Sequence, residues 1–459
     1  MGKCWGMVDG LVLIQSKLKR DANRRIWRVA GPAMLANISG ALVSIVDIWA
    51  IGHLGSEAPL AGLAVGAFFM INLYVLFSFL YMSTVGFVAQ SFGLGLRRKI
   101  IEVTMRAAVM AAGLGLLFVL LSPVIREVTV RVWNPSPEAA EAASTYLRIR
   151  MLSAPAIFVS MTAKGFLIGT QRARISLCLD LFLNALNTLL TVTFVMGLGW
   201  GVAGAATGNL IAEWGAAVAA VVWLGYLIRP ARVMATVRRV GFWRVGLFRE
   251  QASVNTFLFM RTLFVQTVFA MMSVSGARLG DEVLAANHVL LQLVFVATLA
   301  IVGMSSATQT LVGEAKGAGN RALFHFWSAR TALWSFVVAM AMTLAYGIGG
   351  GAIIAAFTNV EGVRAAADQQ LHLVALWPVL AVWSYQLDGI FIGATSAKPM
   401  VWGAGAGASV FVVAQWLLVP PLGNEGLWIA FILFFIVRGL VLAACYARLA
   451  NKIALVARA

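Results

Sequence analysis

Long apolar runs follow one another along almost the whole chain, separated by glycine, proline or charged residues. About 20 consecutive apolar residues are enough for a helix to cross a membrane. Such runs lie near residues 27–53, 60–92, 100–125, 138–169, 175–197, 202–228, 251–277, 283–315, 322–357, 366–394, 399–420 and 424–447. The pattern predicts an all-α integral membrane protein with twelve transmembrane helices.

The composition agrees with a membrane-embedded body, since 61% of the residues are hydrophobic and 12% are charged. A soluble domain has about 45–50% apolar and about 25% charged residues. The loops between the runs are too short for a separate enzyme domain. The three cysteines form no CxxC pair and the four histidines show no ligand spacing. We therefore expect no enzyme activity, no metal site and no cofactor other than an ion gradient.

The net charge of +17 invites comparison with nucleic-acid-binding proteins, but the basic residues are dispersed between apolar runs. Alternate loops and termini hold 24 and 4 lysine and arginine residues. By the positive-inside rule the richer side is cytoplasmic. This places both termini in the cytoplasm, as a segment 1–26 and a tail 448–459, in a protein of the inner (plasma) membrane. No nucleic-acid partner is expected.

An internal repeat organises the chain. At an offset of 224 residues VAQSFGLGLR lies over VGEAKGAGNR, and GFLIGTQRAR lies over GIFIGATSAK. Parallel repeats in transporters are related by an axis along the membrane normal. We expect two pseudo-symmetric six-helix lobes, the N-lobe (27–228) and the C-lobe (251–447). The basic linker 229–250 would lie on the cytoplasmic surface near lipid phosphates and act as the hinge.

Several stretches resemble one transporter family. VDIWAIGHLGSEAPLAGLAVG and GLGWGVAGAATGNLIAEW are similar to the first- and sixth-helix signatures of the multidrug and toxic compound extrusion (MATE) family. RIRMLSAPAIF, FMRTLFVQTVFAMMSVSGARLGDEVLAAN and QLDGIFIGATSAKP resemble its DinF-like branch. The resemblance implies a V-shaped antiporter of twelve helices that exports organic compounds using a proton or sodium gradient. In the DinF-like branch it implies proton coupling through a first-helix carboxylate.

Asp47 is the candidate for that carboxylate, because no other ionisable residue lies between Arg28 and His53. A charge inside a membrane costs about 2.5–3.5 kcal/mol on insertion scales and is a functional candidate by default. The alternative is an aspartate that stabilises helix packing through hydrogen bonds. We expect Asp47 to exchange protons during transport.

A polar stripe on the fifth predicted span faces the same region. Its spacing of four, three and four residues places every member on one face of a helix: Asp180, Asn184, Asn187 and Thr191. On the sixth span Asn209 is expected at the depth of Asp47, with Glu213 one turn deeper. We expect these residues to converge with Asp47 in the N-lobe as coupling or substrate residues. The alternative is a set of interhelical hydrogen bonds that only support packing.

The resemblance also bears on the coupling ion. Asn187 matches a family asparagine, but Thr191 stands where many members have aspartate, and Asn209 where some have threonine. The N-lobe then holds one central carboxylate, which favours a proton over a sodium ion. At the repeat offset, Asp47, Asn187 and Asn209 correspond to apolar C-lobe residues, namely Met271, Phe411 and Leu433. Coupling is therefore expected in the N-lobe alone.

Lys164 and Asp388 are exact partners under the repeat and carry opposite charges. They could form an ion pair across the cleft when it is closed to the inside, as a gate. The alternative, which we favour, is that both side chains are solvated at the membrane interface. Arg148, Arg150 and Arg261 could line the cleft, but the interpretation we favour is that they extend towards the membrane surface.

The predicted function is a multidrug efflux antiporter that exports amphipathic or cationic organic compounds in exchange for protons, with a role in antimicrobial resistance. The alternatives are a sodium-coupled exporter of the same family and a lipid-linked oligosaccharide flippase of the wider superfamily. The expected partners are small organic substrates and the lipid bilayer, and the expected state is a monomer.

Overall fold

The computed structural model describes residues 21–40 and 57–456, and in these ranges the chain is helical with short connections and no strand. The helices are α1 (21–40), α2 (Glu57–Phe77), α3 (Phe79–Gly93), α4 (Arg97–Trp133), α5 (Pro137–Arg150), α6 (Ala154–Gly169), α7 (Ala173–Val192), α8 (Gly201–Ile228), α9 (Pro230–Val237), α10 (Val245–Arg278), α11 (Asp281–Gly317), α12 (Arg321–Phe357), α13 (Glu361–Gly393), α14 (Lys398–Leu422) and α15 (Asn424–Val456).

Eleven membrane spans can be recognised in the described residues from helix length and apolar composition. Two of them are interrupted, since α2 and α3 meet at Ser78, and a 3₁₀ turn (Met151–Ser153) joins α5 to α6. Eleven of the twelve predicted spans are thereby confirmed. The first predicted span, 27–53, is described only as far as residue 40, and it is helical there.

Local sequence signals explain several helix ends. Ser136 caps α5, because its hydroxyl accepts a hydrogen bond from the backbone N–H of Ala139, and Pro137 follows at the first helical position. Asn320 caps α12 in the same way through Leu323. Asn134 ends α4 with a φ of 43°, in the left-handed region that asparagine tolerates.

The segment between the lobes is shorter than predicted. Within 229–250 the chain forms α9 and a 3₁₀ turn (Val240–Trp243), and α10 already begins at Val245. Within the predicted tail 448–459, α15 continues to Val456 and buries Leu449 and Ala450, and the cytoplasmic location of this segment stays a prediction. The apolar run in the sequence marks the part of a helix that lies in the membrane. The helix itself can extend further when its next turn packs against another part of the protein.

The helices of each predicted lobe pack mainly on one another. Between the lobes, α3 of the N-lobe lies against α11 and α13 of the C-lobe. Helix α1 also contacts the C-lobe, because Asn37 binds the backbone of Leu299 in α11 and Asn23 binds Arg330 in α12. One apolar cluster is shared across this boundary and includes Leu80, Phe158, Leu311 and Phe391. A second cluster belongs to the C-lobe alone. The lobes are thus joined by a continuous core on one side of the molecule.

Candidate coupling site and inter-lobe contacts

Asp47 lies outside the described residues, but the helix that precedes it in sequence is described. The amide nitrogen Nδ2 of Asn184 donates a hydrogen bond to the Ser39 hydroxyl at 2.9 Å, which places α7 beside α1. On another side of α1, Asn37 donates to the backbone oxygen of Leu299 at 3.1 Å. The helix that leads towards Asp47 therefore contacts both the predicted polar stripe and the C-lobe helix α11.

Three of the predicted N-lobe residues are buried at the contact between α7 and α8. Asn187, Thr191 and Asn209 are 3%, 0% and 7% exposed. Gly208 allows the close approach, because a Cβ atom there would lie 3.0 Å from the backbone nitrogen of Thr191. The side-chain oxygen Oδ1 of Asn187 is buried and has no hydrogen-bond partner among the described residues.

The backbone of α7 changes directly after this group, where a π-helical turn spans Thr193–Gly197. Such turns widen the helix by one residue and often occur at functional sites. Here the turn begins two residues after Thr191, at the end of the polar stripe.

Glu213 takes part in a separate, buried ion pair. Its Oε2 atom lies 2.6 Å from a guanidinium nitrogen of Arg150, and its Oε1 atom accepts a hydrogen bond from the Tyr74 hydroxyl at 2.9 Å. Arg150 also contacts the Tyr74 hydroxyl. Arg150 is 3% exposed, so the interpretation that it extends towards the membrane surface is wrong. The pair instead joins α2, α5 and α8 inside the N-lobe.

The predicted gate between Lys164 and Asp388 is wrong for this conformation. Lys164 forms an ion pair with Asp180, and Asp388 is paired within the C-lobe. The reason is steric, because the neighbouring glycines bring other helices in between. Gly165 packs against Thr84 of α3 and Gly389 packs against Ser305 of α11. Helices α3 and α11 therefore separate α6 from α13.

Asp388 is the centre of a buried three-residue cluster, the Asp388 triad, in which Arg261 of α10 and Arg438 of α15 both bind its Oδ2 atom. Arg438 is fully buried, and its guanidinium lies 5.6 Å from the Tyr385 ring. With all three side chains ionised, the triad has a formal net charge of +1. Its Asp388 Oδ1, Arg261 Nε, Arg438 Nε and Arg438 Nη1 atoms are buried without a hydrogen-bond partner among the described residues.

Arg438 was not among the predicted site residues, and Arg261 is buried in the triad and does not extend towards the membrane surface. The sequence does contain a signal for Arg438, because it is a single arginine within the apolar run 424–447. A charge inside a membrane is as costly for Arg438 as it is for Asp47, so Arg438 is a functional candidate by the same criterion. The attraction between the two guanidinium groups and the carboxylate offsets part of the free energy that burial of these charges costs.

The C-lobe residues that correspond to Asp47, Asn187 and Asn209 under the repeat lie in apolar surroundings, and the location of coupling in the N-lobe alone stays a prediction. Phe411 is fully buried in the C-lobe apolar cluster, and Met271 and Leu433 pack against that cluster. The N-lobe amides therefore have no polar equivalent at these C-lobe positions.

A clasp of repeat-related residues closes one end of the molecule between the lobes. Gln90 Nε2 donates to the backbone oxygen of Gly393 at 2.8 Å and to the Thr395 hydroxyl at 3.0 Å. Glu314 occupies the position equivalent to Gln90 in the C-lobe, 224 residues later. It binds Arg25 at 2.7 Å and accepts a hydrogen bond from Gln171, the N-lobe equivalent of Thr395. The two halves of the clasp are thus related by the repeat.

Two repeated lobes of membrane helices that close against each other at one end are typical of a membrane transporter. The MatE family model matches residues 32–193 and 258–417, and the chain belongs to that family. The predicted resemblance to the DinF-like branch is confirmed as well. The chain is 34% identical to DNA damage-inducible protein F of Escherichia coli (strain K12), with 93% of each chain covered. As a member of this family, the protein is a membrane transporter and not an enzyme.

More distant similarities agree. The chain is 25% identical to a probable multidrug resistance protein NorM of Deinococcus radiodurans, over 92% of this chain and 93% of that protein. The fold matches a crystal structure of MATE in the bent conformation with a TM-score of 0.86 at 19% identity, covering 95% and 97% of the two chains. It also matches the outward-facing conformation of a multidrug resistance MATE family transporter, with a TM-score of 0.84 at 19% identity and 93% and 96% coverage.

Proposed function

We propose that this protein is a multidrug antiporter of the inner membrane, with both termini in the cytoplasm. It exports amphipathic or cationic organic compounds in exchange for protons, and Asp47 carries the exchanged proton. The names of relatives such as the multidrug resistance protein NorM support the substrate class. The positive-inside distribution of lysine and arginine supports the orientation.

The observation that carries the proposal is the burial of the α7 polar stripe beside α1. Asn184 binds Ser39, which precedes Asp47 by eight residues. Asn187 and Thr191 lie further along the same face of α7 and are buried. Amide and hydroxyl groups can hydrogen-bond both a protonated and an ionised carboxyl group. Such surroundings suit a carboxylate that changes its protonation state during each cycle.

The two buried carboxylates of the described residues are already engaged. Glu213 is paired with Arg150, and Asp388 is paired with Arg261 and Arg438. A guanidinium next to a carboxylate stabilises its charged form and opposes proton uptake. Asp47 is the acidic residue for which the amides Asn187 and Asn209 are the expected neighbours. We therefore assign the exchanged proton to Asp47.

The proposed mechanism couples protonation of Asp47 to packing of α1. A proton that enters from outside neutralises Asp47, and the neutral form favours a drier contact of its helix with α7 and α8. This contact narrows the binding region and releases the substrate outward. Loss of the proton restores the binding form. Exchange requires only that the proton and the substrate prefer different conformations of the transporter.

The clasp around Gln90 and Glu314 would control access from the predicted cytoplasmic side. It lies at the end of the molecule that holds the loops 94–96 and 318–320. With the predicted topology, this end faces the cytoplasm and the described conformation is closed to the inside. Substrate entry then requires the clasp to open.

The test is export of a fluorescent cation by proteoliposomes under proton and sodium gradients imposed separately. We expect the wild-type protein to respond to the proton gradient alone and Asp47→Asn to lose this response while still binding the substrate. Asp368→Asn, at an exposed carboxylate of α13, is the matched control and should transport normally. Undiminished proton-driven export by Asp47→Asn would refute the assignment of the proton. Export driven by sodium would favour the sodium-coupled alternative.

A further inference from the structure

A groove of about 590 Å³ lies on the surface where α4 begins, α8 ends and α9 begins. It is lined by three arginines, Arg97, Arg229 and Arg232, together with Tyr226 and Pro230. The backbone at Arg229 turns sharply, with a φ of 68°, and Pro230 starts α9 directly afterwards. This turn places Arg229 and Arg232 opposite Arg97, which comes from a different part of the N-lobe.

The three guanidiniums of the groove are exposed and have no acidic partner among the described residues. Glu102, the acidic residue of the second turn of α4, is already bound by Arg98 and Arg106. The groove therefore presents three positive charges that nothing in the described part of the chain neutralises. Guanidinium groups bind phosphate oxygens in a bidentate manner, so a phosphate group is the ligand that this arrangement fits.

The groove continues into an apolar, exposed face of α8. Val218, Val222 and Tyr226 follow each other at intervals of four residues and are 59%, 65% and 79% exposed. At this spacing they form one row along the helix. Tyr226 is both the end of this row and a lining residue of the groove. A ligand that occupies the groove with its charged group can therefore lay an apolar part along α8.

We propose that this groove binds one anionic phospholipid. The phosphate group lies between Arg97, Arg229 and Arg232, and an acyl chain follows the row from Tyr226 to Val218. A free phosphate ion would leave the apolar row unused, whereas a zwitterionic lipid would place a cationic headgroup beside the three arginines. The bound lipid fixes the start of α9, and with it the segment that joins the two lobes, at the membrane surface.

The test uses native mass spectrometry of the full-length protein with added phosphatidylglycerol or phosphatidylcholine of the same acyl chains. The groove variant replaces the three arginines with glutamine: Arg97→Gln, Arg229→Gln and Arg232→Gln. The matched control removes the same charge from exposed arginines of the adjoining segment: Arg238→Gln, Arg239→Gln and Arg244→Gln.

Each basic residue at an anionic surface contributes roughly a fivefold factor in affinity, so the groove variant should lose about two orders of magnitude for phosphatidylglycerol. The three control arginines do not line the groove, so the control variant should lose less than about fivefold of its affinity for a lipid bound there. Equal losses in the two variants would mean that the basic segment attracts lipid without a defined site, and would overturn the proposal.

Two further measurements separate a lipid from free phosphate. Millimolar glycerol phosphate should leave the phosphatidylglycerol adduct in place, because it lacks the acyl chain. A variant with Val218→Ser and Val222→Ser, which keeps all three arginines, should bind the lipid several-fold more weakly. Displacement by glycerol phosphate together with normal binding by the serine variant would show that the groove recognises a soluble phosphate instead.

Discussion

Gly93 of α3 and Gly317 of α11 are equivalent in the two repeats and make equivalent contacts. Gly93 packs against the backbone carbonyl three residues before Gly317, and Gly317 packs against the backbone carbonyl three residues before Gly93. A Cβ atom on Gly93 would overlap the carbonyl oxygen of Glu314, and one on Gly317 would overlap that of Gln90. Glycine is the one residue that allows backbones to approach this closely. The closed end of the transporter therefore depends on the same residue in both halves of the chain.

Alanine at Gly317 should shift the transporter away from this closed conformation. The added methyl group cannot be accommodated, because its neighbour is backbone and not a flexible side chain. Spin labels at the exposed positions Leu96 and Ala322 would report a longer distance across the closed end. Gly113→Ala in α4 is the control, since nothing lies within 4 Å of its Cβ position. An unchanged distance distribution in Gly317→Ala would contradict the role of this contact.

The ion pair between Arg25 and Glu314 should contribute modestly to the same closure. Their side chains are 34% and 20% exposed, and a partly exposed pair contributes up to about 1 kcal/mol. We expect Arg25→Gln and Glu314→Gln to increase opening to a similar extent and the double variant to open little further. A double-mutant cycle on the spin-label distances measures this coupling. Fully additive effects would show that the pair does not hold the lobes together.

Asp388→Asn should destabilise the C-lobe strongly. The substitution leaves the buried Arg261 and Arg438 without their carboxylate, and breaking a buried ion pair on one side costs about 3–5 kcal/mol. Unfolding in detergent would measure the loss, with Asp368→Asn as the exposed control. Adding Arg438→Leu to Asp388→Asn should recover part of the stability because it removes one unpaired charge. A double variant that is less stable than Asp388→Asn would argue against this explanation.

Lys164 should be coupled to Asp180 and independent of Asp388. In the described conformation Lys164 pairs with Asp180, while Asp388 pairs inside the other lobe. Stability measurements on Lys164→Gln combined with Asp180→Asn should give a coupling of up to about 1 kcal/mol. The combination with Asp388→Asn should be additive within about 0.5 kcal/mol. Strong coupling of Lys164 to Asp388 would restore the original gate hypothesis.

The fold could be predicted almost completely from the sequence, because every segment that crosses the membrane must be a helix of about 20 mainly apolar residues. Eleven predicted spans correspond to helices, and the first is helical as far as it is described. The helix ends and the segment between the lobes were less predictable. The linker forms α9 and α15 extends to Val456, and both depend on packing that apolar periodicity does not encode.

The site was predictable only within one helix. The spacing of Asn184, Asn187 and Thr191 placed them on one face, and this face is buried or bonded as expected. Pairs between helices were not predictable. The repeat aligned Lys164 with Asp388, but equivalence under a symmetry operation is not contact, and the glycine contacts of α3 and α11 decide which side chains meet.

The net positive charge of the Asp388 triad has a consequence for the energetics of transport. A charge inside the bilayer experiences the membrane potential, and moving one elementary charge through 100 mV changes the free energy by about 2.3 kcal/mol. A rocking movement that carries the triad across one tenth of the membrane field would change the balance between the two conformations by about 0.2 kcal/mol per 100 mV. The C-lobe, which lacks polar equivalents of the proposed N-lobe coupling residues, would then give the transporter a dependence on voltage that is separate from the proposed dependence on protons.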